Sequence, residues 1–157
     1  MKKTFSILML GALPGLALAS GMHAGGHDDH EATAFGAPGE AAAVSRTIEI
    51  QAGDNMRYTP AAITVKRGET IKFVIKNTGH LQHELVLGDA ASLREHAEAM
   101  RKYPDMAHED PNMAKIAPGA TGSLIWKFSR AGTVDFACLI PGHYEAGMKG
   151  SIRVSAK

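Results

Sequence analysis

The chain has 157 residues, with 17 basic side chains against 16 acidic ones and a formal charge of +1 when its eight histidines are neutral. This balance supplies no basic stripe for a nucleic acid and no polybasic patch for an anionic membrane surface. One cysteine, Cys138, excludes an intrachain disulfide.

Lys2 and Lys3 precede an apolar run from Phe5 to Ala12, and Ala17-Leu18-Ala19 follows with small residues. This is the pattern of a secretory leader, expected to be cut after Ala19. The apolar run is too short to span a bilayer, and Gly11, Pro14 and Gly15 argue against a buried helix. No cysteine near the cut offers a site for a lipid, so no membrane anchor is expected. Loss of residues 1–19 removes two lysines and no acid, which takes the formal charge from +1 to −1. The expected destination is the periplasm, an oxidising compartment in which cysteines usually pair. A lone exported cysteine is then an intermolecular bridge, a reactive thiol or a metal ligand.

Residues 20–45 are rich in Gly, Ala and His and offer little to bury, so they are expected to form a flexible tail. The tail carries His23, His27 and His30, which could hold additional, weakly bound copper. The domain is expected over 46–157, where the texture changes to short strands with period-two alternation. Ile48 pairs in phase with Ile50, Ile63 with Val65, and Ile71 and Phe73 with Ile75. Lys66 to Glu69 forms a turn, and Asn77-Thr78-Gly79 ends the strand that follows it. A further strand runs from His83 to about Leu87. Ser92-Leu93-Arg94-Glu95 reads as a capping box that opens a helix, which ends near Tyr103 because Pro104 disfavours helical geometry before it. A loop with Met106, His108, Asp110 and Met113 follows, and together with Met100 it could form a soft Cu(I) site. Strands resume at Ser123–Phe128, Thr133–Cys138 and Lys149–Val154. Many short strands with one helical insertion predict an all-β sandwich or barrel.

The chemistry concentrates near the C-terminus, where Cys138 is followed by His143 and Met148. A thiolate, an imidazole and a thioether on one short loop are soft ligands, and Cys/His/His with a long axial Met is a mononuclear copper site. The second imidazole is assigned to His83. Its rival, His80, lies in the turn, whereas His83 shares a strand face with Leu85 and Leu87. Cys138 is in phase with Phe136 and Val134, and Met148 with Ile152 and Val154. All of these faces are apolar, so the ligands can converge at one end of a core. Zinc is the competing metal, but a thioether is not among its usual ligands.

Asn77-Thr78-Gly79 ahead of His83, and Phe136-x-Cys138 ahead of Pro141-Gly142-His143 and Gly147-Met148, resemble the cupredoxins, the relatives of plastocyanin and azurin. The resemblance runs from about Ile48 to Val154 and implies a Greek-key β-sandwich with one type 1 copper, held by His83, Cys138, His143 and Met148, at one pole. The histidine-bearing tail and helical insertion are most similar to periplasmic cupredoxins of bacterial copper tolerance. Many members carry Asn after the first ligand histidine where this chain has Glu84, which alters the expected hydrogen bonding around the metal. Ala137 and Leu139 stand where multicopper oxidases place histidines, so no trinuclear oxygen-reducing cluster is implied.

Two functions follow as expectations. One is periplasmic copper tolerance by a redox-active copper-binding protein, which the tail and the Met/His loop favour. The other is a soluble one-electron carrier that docks through an apolar patch around His143 with Ile140 and Pro141. The expected partners are copper ions and a periplasmic redox or copper-handling protein, and the expected state is a monomer. An enzyme is not expected, because the ligand set leaves neither an open position nor a general base.

Overall fold

In the computed structural model the described residues are 33–103 and 110–157. The expected leader at 1–19, the histidines His23, His27 and His30 of the expected tail, and Met106 and His108 all lie outside them. The strands are β1 (Gly36–Pro38), β2 (Arg46–Gly53), β3 (Arg57–Thr59), β4 (Ala62–Lys66), β5 (Thr70–Asn77), β6 (His83–Gly88), β7 (Met113–Ile116), β8 (Thr121–Phe128), β9 (Gly132–Ala137) and β10 (Lys149–Ser155); one helix, α1 (Ala90–Lys102), lies between β6 and β7. They form two five-stranded sheets, in the orders β1-β8-β5-β2-β3 and β4-β10-β9-β6-β7. β2 with β5 and β4 with β10 are parallel, and the other pairs are antiparallel. This is the expected β-sandwich. Among the described residues no helix is long and apolar enough to cross a membrane.

Alternation builds the core. On β5, Ile71, Phe73 and Ile75 are buried, while Lys76 reaches solvent. They meet Trp126 and Phe128 of β8 and, from the other sheet, Leu85, Leu87, Val134, Phe136 and Ile152 in one apolar cluster. Cys138 and Met148 belong to that same cluster, at its edge in the chain between β9 and β10. The loop that carries three of the expected ligands therefore grows directly out of the core.

The β6 strand departs from simple alternation, because all six of its residues are buried. The reason is α1, which covers the outer face of this sheet. Its Leu93 and Ala97 pack with Val86, Ala137 and Leu139 in a second cluster, against which Tyr144 also rests. Met100 completes a buried stripe at helical spacing. The helix starts earlier than its sequence signal. Asp89 is the N-cap, its Oδ1 accepting from the N–H groups of Ala91 (2.9 Å) and Ser92 (2.8 Å). Ser92 is the reciprocal partner three residues on, and accepts from the Asp89 N–H at 3.0 Å. The expected box beginning at Ser92 is thus displaced by one turn, since an aspartate and a serine make the same reciprocal pair as Ser and Glu. The expected end at Tyr103 holds, with Tyr103 as C-cap.

The tail boundary also needs correction. Residues 33–45 were expected in the flexible tail, yet β1 pairs antiparallel with the edge of β8, Gly36 opposite Phe128. Phe35 lays its ring 5.5 Å from that of Trp126. Ser45 N–H then donates to the Thr70 carbonyl at 2.9 Å. A single aromatic and an unpaired sheet edge are enough to order a segment whose composition has no period of its own.

Candidate metal centre

Three strand-ends meet at one pole. His83 opens β6, Cys138 follows β9, and the chain from Leu139 to Gly147 returns to Met148, just ahead of β10. The backbone closes this return tightly. Cys138 N–H donates to the Met148 carbonyl (3.0 Å), Met148 N–H to the His143 carbonyl (3.0 Å) and His143 N–H to the Ile140 carbonyl (3.0 Å). Three of the four expected ligands, Cys138, His143 and Met148, are thereby held within one hydrogen-bonded unit. Gly142 and Gly147 take positive φ, 90° and 102°, to make its turns.

The donor atoms converge. One ligand atom each from His83, Cys138 and His143 lie within 4.8 Å of one another. Cys138 Sγ is 3.3 Å from His143 Nδ1, and the two imidazole rings are 5.2 Å apart at 57°. His83, Cys138 and Met148 are fully buried, while His143 is half-buried at the rim. His80, the rival, is exposed in the preceding turn.

These residues fit a soft metal ion. His83 Nδ1 is buried with no hydrogen-bond partner, which is costly unless something occupies its lone pair. Burial pushes the Cys138 thiol up to about 12. Backbone N–H groups of Glu84 and Ile140 favour the thiolate, and the Glu84 carboxylate opposes it. Two donors do not overcome the burial, so a thiolate here calls for a cation. Burial lowers the His143 pKa, with His83 adding to the effect, and leaves a neutral imidazole for coordination.

Three supporting contacts had little or no sequence signal. Glu84, noted above only as a departure, is buried, and its Oε1 accepts from the Leu139 N–H at 2.9 Å. Its backbone carbonyl accepts from the buried Tyr58 hydroxyl. The residue after one ligand thus clamps the residue after another, and the doubt raised by Glu84 resolves into a hydrogen bond. Arg57 on β3 donates to the Ala146 carbonyl at 2.7 Å and crosses the loop backbone beside Gly147, where a Cβ would fall 2.6 Å from its Nη1. Asp54, in the β2–β3 turn, places its Oδ1 3.1 Å from His83 Nε2. Its backbone hydrogen bond from His80, helped by those from Leu81 and His83, holds its carboxyl below the usual range. Arg57 and Asp54 sit far from their partners in sequence, so no local pattern marks them. The soft site expected from Met100, Met106, His108 and Met113 is not assembled from the described members. Met100 is buried in the helix stripe, Met113 packs on the second cluster, and the other two lie outside the described residues.

Residues 42–155 match the profile of copper binding proteins of the plastocyanin/azurin family. The chain is 52% identical over 132 residues to the copper-resistant cuproprotein CopI of Rubrivivax gelatinosus, covering 84% of this chain and 80% of that protein. It is 39% identical over 179 residues to the protein of the same name from Pseudomonas aeruginosa, covering 95% and 94%. Among solved structures it is similar to dithionite-reduced auracyanin of Roseiflexus castenholzii, with TM-score 0.60 and 28% identity over 71% of this chain and 98% of that one. A matching profile over most of the domain, the sandwich and the convergent soft donors agree: the chain belongs to the copper-binding plastocyanin/azurin family.

Proposed function

We propose that His83, Cys138, His143 and Met148 hold one type 1 copper, and that the protein acts in copper tolerance in the periplasm after export by the leader at 1–19. The observation that carries the ligand assignment is the convergence of Cys138 Sγ and His143 Nδ1 with the buried, unpartnered Nδ1 of His83. Bound copper supplies a one-electron Cu(II)/Cu(I) couple. The protein supplies the rigid frame. Cys138 would offer a thiolate, His83 and His143 imidazoles that suit both oxidation states, and Met148 a weak thioether donor from the core. The closed backbone of the 138–148 loop keeps these atoms still, so little reorganisation accompanies electron transfer. Four protein ligands would fill the coordination of the metal, which suits binding and redox change rather than catalysis. The relatives named as copper-resistant cuproproteins support the tolerance role.

A second reading, a soluble one-electron carrier, is favoured by one feature. The half-buried His143 stands beside the exposed Pro141, at the pole reached also by the exposed Leu81, and offers a partner an apolar face next to a ligand. Two experiments separate the readings. Cys138→Ser should abolish intense visible absorption of the Cu(II) protein, and a variant that keeps its colour would refute the ligand set. A deletion strain should then grow poorly on graded copper while its electron flow at low copper is unimpaired. Unchanged tolerance with impaired electron flow would establish the carrier instead.

A further inference from the structure

The Asp54 carboxylate is met by donors alone. The His80 N–H donates to Oδ2 at 2.7 Å, the Leu81 N–H to Oδ1 at 3.2 Å, and Nε2 of His83 lies 3.1 Å from the same Oδ1. A carboxylate ringed by N–H groups accepts and does not donate, so the shared proton sits on His83 Nε2. The lone pair of that ring is then at Nδ1, the buried atom with no partner. The approach is built from both sides. A Cβ placed on Gly79 would lie 1.9 Å from Asp54 Oδ1, so only glycine admits the carboxylate against this turn. Asn77 holds the turn from within, its Nδ2 donating to the Leu81 carbonyl at 2.7 Å and its Oδ1 accepting from the Gly79 N–H at 2.9 Å.

We propose that Asp54 is the positioning residue of the His83 ligand: it fixes the ring tautomer that presents Nδ1 to the metal, and its charge biases the centre toward Cu(II). This rests on the ligand set proposed above. A carboxylate on the remote nitrogen raises the basicity of the coordinating one. Fixed negative charge near the site also favours the more positive ion of the couple. The Asp54 side chain is 34% exposed, so water screens part of this effect.

Two substitutions separate tautomer from charge. Asp54→Asn keeps an acceptor for His83 but removes the charge. Asp54→Ala removes both. In the apo-protein, nitrogen chemical shifts should show His83 protonated on Nε2 in the parent and in Asp54→Asn, and a mixture of tautomers in Asp54→Ala. In the loaded protein both variants should lose Cu(II) affinity by roughly 10–100-fold, as removal of such outer partners does. Cu(I) affinity should fall less, so the midpoint potential should rise by about 59 mV for each tenfold of difference. Gly79→Ala, which displaces the carboxylate while leaving residue 54 an aspartate, should reproduce Asp54→Ala. Variants that melt at lower temperature yet keep the parent tautomer, Cu(II) affinity within twofold and an unchanged potential would reduce Asp54 to a loop anchor and overturn the proposal. If the parent protein bound copper elsewhere, the ligand reading would fail, and the apo-protein tautomer would still decide the role of Asp54.

Discussion

Met148 joins core and site in one side chain, fully buried in the main apolar cluster and hydrogen-bonded through its backbone to both Cys138 and His143. Its carbonyl and N–H are used by the loop whatever side chain it carries, so the thioether can be replaced while the loop persists. Met148→Leu should therefore retain copper, and its potential should rise, because a weaker axial donor stabilises Cu(II) less. A tenfold loss of preference for Cu(II) corresponds to about 59 mV, readily measured by redox titration. Complete loss of copper would show that the thioether is a primary ligand. The four proposed ligands were legible in the sequence because three of them sit at fixed steps on one loop and His83 shares the phase of Leu85 and Leu87. Asp54 and Arg57 were not, because their roles depend on which turn the fold lays over the loop. Glu84 was visible only as an oddity, and its meaning needed the position of the Leu139 N–H.

The helix and the first strand were read with opposite success, for one reason. The helix carries a local signal, a stripe of Leu93, Ala97 and Met100 with a capping pair at its start, so only its cap was displaced, from Ser92 to Asp89. Asp89 is bonded by the Ser92 and Ala91 N–H groups, which lower its pKa. A carboxyl lowered on folding stabilises the protein above its unfolded value near 4 and loses that contribution as pH falls through its lower folded value. Asp89→Ala should cost about 1 kcal/mol at neutral pH, and denaturant melts should show the gap narrowing as the pH falls below the ordinary carboxylate range and through the lower folded value. The strand β1 has no periodic signal, and only the tertiary partner Trp126 reveals it. Deletion of 20–45 should uncover Trp126 and leave the β8 edge unpaired, lowering the melting temperature by about 5 °C or more. Deletion of 20–32 alone should leave it unchanged. Equal melting temperatures for the two deletions would show that β1 contributes nothing to stability.

Across the whole molecule, the ligands stand at one pole of a core that includes Cys138 and Met148 but is built mainly by other side chains. Ile50, Ile71, Phe73, Ile75, Trp126, Phe128 and Phe136 are all fully buried, and the loop that bears Cys138, His143 and Met148 closes on its own backbone bonds. The Glu84 clamp and the Arg57 strap add contacts from two further strands. Such a site is set before metal arrives, so removing copper should leave the sandwich folded. It leaves three unfavourable features behind: an unpartnered buried imidazole nitrogen, a buried thiol and a cluster of donors facing one another. Copper relieves all three in the folded state and finds no such cage in the unfolded chain. At a free concentration a thousand times the dissociation constant, this linkage amounts to about 4 kcal/mol. For a domain of this size that is a rise of roughly 10–15 °C in melting temperature. Calorimetry of the apo- and copper-loaded protein should show that rise, with nearly superimposable far-ultraviolet circular dichroism at 25 °C. An apo-protein without strand signal would mean that the metal, and not the core, organises the loop. Cys138→Ser, which should keep the fold and weaken the cage, is expected to melt with the apo-protein at any copper concentration that saturates the parent.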